Sequence, residues 1–156
     1  SDIPILYVTG SQGDLVRVYD VMSGSIFEIE TISGTPTLQV NSDSVTKIGL
    51  WPALGSYTSY KAVIPAGSQV TIYTIPTSSA DCAFIDYIIS SGSNMRAGTF
   101  TANWYQSSIN YVETTTDDIG NTNKVTMSAD LDSGNFRFNG QSSSGLWTIK
   151  SIIRYI

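Results

Sequence analysis

The feature that most narrows what this chain can become is a two-residue alternation of side chains, repeated in short runs, with almost no apolar spacing of helical period. In residues 15–21, Val16 and Val18 fall on one face, and Leu15, Tyr19 and Val21 on the other. Ser23-Gly24-Ser25 then leads into 26–30, Ser33-Gly34-Thr35-Pro36 into 38–40, and Asn41-Ser42-Asp43-Ser44 into 45–50. A period of two marks a strand, and clusters of Gly, Pro, Asn and Asp between such runs mark turns. Short strands recurring about every ten residues predict an all-β architecture.

From about Tyr57 the predicted strands lengthen. Residues 69–75 set Val70 and Ile72 against Thr71, Tyr73 and Ile75. Residues 97–106 and 109–114 read as a hairpin around Ser107-Ser108, and 125–129 with 135–140 as another around Asp132-Ser133-Gly134. The last run, 146–156, sends Trp147, Ile149, Ile153 and Tyr155 one way, and Ile152 and Ile156 the other way with Lys150 and Arg154. Residues 83–89 are apolar on both faces, with Ile85, Tyr87 and Ile89 on one and Phe84 and Ile88 on the other. That predicts a strand covered on both sides, at the centre of a sandwich or against another subunit. The stretch Leu50-Trp51-Pro52-Ala53-Leu54-Gly55 separates a short-stranded, shaft-like segment, 1–50, from a head, 51–156. The head has six to eight predicted strands, enough for a jelly-roll-like antiparallel β-sandwich.

Chemistry is bounded mainly by what the composition lacks. Charged residues make up 13% of the 156 and the net charge is −5. The eight Lys and Arg are scattered singly, so no basic stripe exists to neutralise a row of phosphates, and nucleic acid is not an expected partner. No apolar run approaches the roughly 20 residues of a membrane-spanning helix, and no basic amphipathic stretch occurs, so membrane insertion is not expected. Without histidine there is no Ser-His-Asp or Cys-His arrangement and no imidazole ligand for zinc. No phosphate-cradling glycine motif appears. Cys82 is the single cysteine and is expected as a buried thiol at a strand start. No catalytic residue, metal site or cofactor is therefore predicted.

Carboxylate pairs are the exception, since glycosidases need only two acids several Å apart. Glu28, Glu30, Glu113, Asp117 and Asp118 are the candidates. The run Asp117-Asp118-Ile119-Gly120-Asn121 lacks the alternating ligands of a calcium loop and predicts an Asx turn. Asp86 shares a strand face with Phe84 and Ile88, which predicts a partner for its charge in Arg96 or in the amides around Ser93-Asn94.

For binding, sugar sites combine an aromatic plate with amide, carboxylate or guanidinium groups for the hydroxyls. Trp51, Trp104, Tyr105 and Tyr111 could supply the plate, and Asn94, Arg96, Asn103 and Glu113 the polar groups. Core packing competes for each Trp, because a sandwich needs large fillers. Trp147 is assigned to the core and Trp51, beside Pro52, to the surface.

Three stretches carry a resemblance. The first is Phe27-Glu28-Ile29, Gly34-Thr35-Pro36-Thr37-Leu38-Gln39-Val40-Asn41 and Val45-Thr46-Lys47-Ile48-Gly49. The second is Ala83-Phe84-Ile85-Asp86-Tyr87-Ile88-Ile89 with Asn94-Met95-Arg96-Ala97-Gly98-Thr99, and the third is Trp147-Thr148-Ile149-Lys150. Together they resemble the C-terminal head, with its preceding segment, of phage tail-fibre and other virion fibre proteins. The resemblance implies a homotrimeric head of the tumour-necrosis-factor or adenovirus-knob kind behind a short β shaft, on the virion surface. Such a head contacts a host-surface glycan or protein, or it caps the trimer, and it carries no catalytic motif. The second face of 84–89, together with Ile152 and Ile156, independently points to a subunit interface. The expected function is a trimeric fibre tip that binds a host-surface receptor, foremost a glycan. A purely structural cap and a glycan-cleaving tip are the alternatives.

Overall fold

Two-residue turns set the pairing of this chain. At Ser133-Gly134 both residues take positive φ (50° and 79°), the geometry that matches the right-handed twist of a hairpin, and Asp132 pairs with Asn135 across it. The Gly92-Ser93 turn likewise pairs Ser91 with Asn94. Ser108 pairs with Tyr105, so that turn is Gln106-Ser107, one residue earlier than the alternation predicts.

The computed structural model describes residues 5–20, 23–31, 33–49 and 55–156. Among them the regular elements are all strands. The chain divides into two compact units, one of residues 1–58 with Ile156 and one of 59–155. The division falls inside a strand, and the candidate boundary at 50–54 lies outside the described residues.

The first unit is an antiparallel ladder in sequence order. It comprises β1 (Leu6–Gly10), β2 (Gly13–Val18), β3 (Ser25–Glu30), β4 (Pro36–Asn41), β5 (Thr46–Ile48) and the first residues of β6 (Gly55–Ile64). Its register sorts side chains sharply. One cross-strand row runs Val8, Val16, Ile29, Leu38, Ile48 and Gly55. Two residues along each strand, on the same face, a second runs Leu6, Val18, Phe27, Val40, Thr46 and Tyr57. The intervening row on the other face is Tyr7, Arg17, Glu28, Gln39, Lys47 and Ser56. Val45 is the one buried apolar side chain among the described residues of this unit.

The second unit is a jelly-roll-like sandwich. The rest of β6 continues in a sheet ordered β6, β13 (Trp147–Tyr155), β8 (Cys82–Ser91), β9 (Asn94–Tyr105) and β10 (Ser108–Thr115). The facing sheet is ordered β11 (Val125–Asp132), β12 (Asn135–Ser142) and β7 (Gln69–Pro76). Aromatic rings from both sheets meet between them. Phe100 and Phe138 lie 5.0 Å apart, and Trp104 stacks on Phe136 at 4.5 Å. Ile85, Ile89, Ile149 and Ile153 fill the same layer with no more than 1% exposure. Trp147 joins them, as its alternation predicts, and its indole N–H donates to Ser144 O at 3.0 Å.

Strand β8 is covered on one face only within this chain. Its Ile85, Tyr87 and Ile89 face is sealed by the second sheet, but Ile88 remains 37% exposed on the other. Asp86 is exposed as well. Alternation fails in β7, where Ile72 and Ile75 are both buried although they stand three positions apart. A break in register opposite Phe138/Asn139 inserts an extra residue and reverses the parity.

Tyr87 depends on Gly98, its partner across the β8–β9 pair. A Cβ at position 98 would stand 2.7 Å from the Tyr87 ring. The ring cannot swing away, because its hydroxyl donates to Glu113 and accepts from Arg96. Gly98→Ala is expected to destabilise the sandwich by about 1–3 kcal/mol, as overpacking does. Urea denaturation measures it, and an unchanged midpoint would show that Tyr87 moves aside.

Candidate functional site

Strand register decides which candidate residues can meet. Cross-strand partners in an antiparallel pair share a face, so β9 sends its even-numbered residues inward and its odd-numbered residues outward. Asn94, Arg96 and Trp104 therefore point to the inner side, where Tyr111 and Glu113 of β10 join them. Asn103 and Tyr105 point to the outer side. The eight candidates do not form one site, and Trp51 lies outside the described residues.

On the inner side, most of the candidates are already engaged. Trp104 is 4% exposed and donates its indole N–H to Ala80 O at 2.7 Å, so it has no plate to offer a sugar. Tyr111 stacks on Phe100 at 5.0 Å and leaves its outer half open. Arg96 donates to Glu113 (3.3 Å), to the Tyr87 hydroxyl (3.4 Å) and to Thr122 O and Oγ1 (3.3 and 3.1 Å). Burial, reinforced by the Glu113 hydrogen bond, pushes the Tyr87 phenol up to about 12. Asn94 Oδ1 accepts from the Asn121 amide at 2.8 Å. These groups pin the 116–123 segment to the sheet.

Within that segment, Asp118 accepts from the Thr122 amide and hydroxyl (3.0 and 2.6 Å), the turn that residues 117–121 predict. Those hydrogen bonds hold its carboxyl below the usual carboxylate range. The expected Asp86–Arg96 pair does not form. Asp86 lies opposite Thr99 on the outer face, and Arg96 points inward. The two-residue turn at Gly92-Ser93 fixes that parity, and it was the signal in the sequence that excludes the pair.

The outer face holds what the sequence did not bring together. Lys150 pairs with Ile88, and Ile152 with Asp86, so charged and apolar side chains form a diagonal checkerboard across β13 and β8. Ser59 and Lys61 of β6 border it, and the Ser151 hydroxyl donates to Tyr60 O at 3.3 Å between those two strands. The result is an open depression of about 640 Å³. Beyond it, the Arg154 guanidinium sits 5.3 Å above the Phe84 ring. Asn103 and Tyr105 lie further along the same face, past Cys82, which pairs with Asn103. Cys82 is half-buried at its strand start, and burial pushes its thiol up.

This face also carries a local excess of positive charge. Arg17, Arg96 and Arg137 are held in ion pairs. Lys61, Lys150 and Arg154 make none with the described residues, and all three lie here, with Asp86 as the acid among them. The β13–β8 contact joins residues that are distant in sequence, Lys150 with Ile88 and Ile152 with Asp86, which no local pattern reveals.

Among the candidate acids, Glu28 and Glu30 share one side of β3 in the first unit. Glu28 accepts from Gln39 (2.7 Å) and the Tyr19 hydroxyl (3.4 Å). Arg17 Nη2 lies 3.1 Å from Glu30 Oε2, an ion-pair distance, yet it points its hydrogen bond at Asp14. Glu30 Oε2 is consequently buried with Coulombic attraction but no hydrogen bond. Both acids are under 9% exposed.

Compared with known proteins, no protein-family model matches the chain, and no curated protein matches it in sequence. Among solved structures, the tailspike protein of Acinetobacter baumannii phage AM24 shares 7% identity at a TM-score of 0.39. The match covers 65% of this chain and 26% of the tailspike, so the chain spans about a quarter of that protein's length.

Burial raises the Glu30 carboxyl above the usual range, against the opposing pull of Arg17. A raised acid binds its proton more tightly folded than unfolded, so its contribution is present below the unfolded value and is lost as pH rises through the folded one. The first unit is expected to gain stability on acidification from neutral pH toward 5. Glu30→Gln should flatten that dependence in thermal melts, and an identical slope would assign it to another group.

Proposed function

We propose that this chain is a fibre-tip module of a virion, used in several copies to attach to a host-surface glycan that carries negative charge. The observation that carries the ligand class is the outer-face depression. Sugars present an apolar ring face and a rim of hydroxyls. Ile88 and Ile152 suit the first, and Lys61, Lys150, Asp86 and Ser59 suit the second. The bias toward acidic glycans follows from charge, because a chain of net −5 groups three of its unpaired cations on this face. Carboxylate or sulfate on the ligand would be drawn to that face and repelled elsewhere. The fibre assignment is supported by the resemblance of 27–49, 83–99 and 147–150 to virion fibre heads.

Shallow sites of this kind bind weakly one at a time, and linking copies multiplies their effect without new contacts. We read the module as a binder rather than a hydrolase, since Glu28 is held by Gln39 and the Tyr19 hydroxyl, and Glu30 is buried at ion-pair distance from Arg17.

A glycan array probed with the intact protein tests this reading. Signal is expected on carboxylated or sulfated glycans, weakening as salt is raised above about 0.15 M, where screening shortens the reach of exposed charges. Lys61→Glu with Lys150→Glu should reduce it at least roughly tenfold while the far-ultraviolet spectrum is unchanged. Retained binding in that variant would remove the depression from the mechanism. An array with no acidic glycan bound would leave the structural-cap alternative, and release of reducing ends would replace binding by cleavage.

A further inference from the structure

We infer that the apolar face of the N-terminal ladder is the surface on which copies of this chain associate. This deepens the multi-copy part of the reading above and is independent of its glycan part. The expectation that placed the interface on the second face of β8 and β13 meets a difficulty, because that face carries Lys61, Lys150, Arg154 and Asp86. Among the described residues, the two apolar rows of the ladder carry no charge.

Two adjacent rows cross all six strands of the ladder, and of their twelve positions only Thr46 and Gly55 are not apolar. None of the twelve is buried. Leu6 is 53% exposed, Ile48 60% and Tyr57 42%. The polar face of the same ladder is the sheltered one, holding Glu28, Glu30 and Ser56 at 6–8% exposure. A sheet normally buries its apolar side, so this arrangement is complete only when something covers the open rows.

Size supports a sheet-like partner. Six strands about 4.8 Å apart, two rows deep, make a patch of roughly 400 Å² in plane, near the limit of what soluble monomers leave bare. Gly55 extends it, since its missing side chain leaves room where Ile156 comes alongside; a Cβ there would stand 3.4 Å from Ile156 Cγ2. A second sheet laid at about 10 Å would complete a two-layer core that the unit lacks on its own.

Charge identifies the occupant as another copy. Identical chains of net −5 repel one another wherever acids face acids. An uncharged face is a contact they can share without unpaired charge, and it is self-complementary because every copy brings the same rows. A partner of different sequence and opposite charge would instead be recognised by charged side chains on the patch, and it has none.

Light scattering after size exclusion of the full chain tests the inference, with Ile29→Glu plus Leu38→Glu in adjacent strands of one row, and Lys47→Glu on the polar face as control. Wild type and Lys47→Glu are expected to run as oligomers at micromolar concentration. The double variant should dissociate to monomer, with the midpoint concentration raised at least tenfold. Hydrogen exchange in β3 and β4, alongside β8, β9 and β13, reports whether the ladder and the sandwich both stay folded in the variant, so that dissociation is separable from collapse. A double variant that keeps the wild-type mass overturns this assignment and leaves the fibre-tip reading standing. A monomeric wild type overturns both, and glycan binding by that monomer would leave only the site on the outer face.

Discussion

The contact between Phe100 and Trp104 of one sheet and Phe138 and Phe136 of the other holds the register on which everything else in the sandwich depends. Side chains alternate faces with a period of two, so a slip of β9 by one residue would expel both rings and bring Asn103 and Tyr105 inward. Losing the burial of two such rings costs several kcal/mol, comparable with the net stability of a whole domain. The aromatic layer thus does more than exclude water. It determines that Arg96 faces Glu113 and that Asp86 faces away from both.

Legibility followed the range of the interaction. Strands, turns and the core role of Trp147 could be read locally, because alternation and turn chemistry act over a few residues. The hairpin parity that separates Asp86 from Arg96 was also present, in the length of the Gly92-Ser93 turn. Ile72 and Ile75 were not readable, since an extra residue against β12 reverses the alternation, and nothing in β7 itself announces it. The checkerboard of Lys150, Ile88, Ile152 and Asp86 was least accessible of all. It arises from β13 lying beside β8, a pairing made by topology rather than by any turn.

The two units solve the problem of burial differently. The sandwich closes its core within itself, and its outer surfaces are free to carry mixed charged and apolar groups. In the small sheet of β11, β12 and β7, Asn139 is fully buried, donating to Asp130 and accepting from Thr71. The ladder has polar order without an apolar interior. Its Arg17, Glu28, Glu30 and Gln39 contacts resemble a finished protein surface in their pairing, yet they occupy the sheltered side. Stability in the first unit is accordingly tied to whatever covers the opposite rows, whereas stability in the second is local.

The Arg96 network has a consequence for how such a chain can vary over generations. Removing any one of Arg96, Glu113 or Tyr87 strands the others without their partners in a half-buried place, so single changes there are penalised more than joint ones. In the 116–123 segment that hangs from them, Gly120 lies against Asn94 and Asp118 holds Thr122, whereas the exposed side chains of Asp117, Ile119 and Asn123 make no such contact. Those three positions can drift between anchors that change only together, which makes them natural places for new surface chemistry to be tried without disturbing the fold.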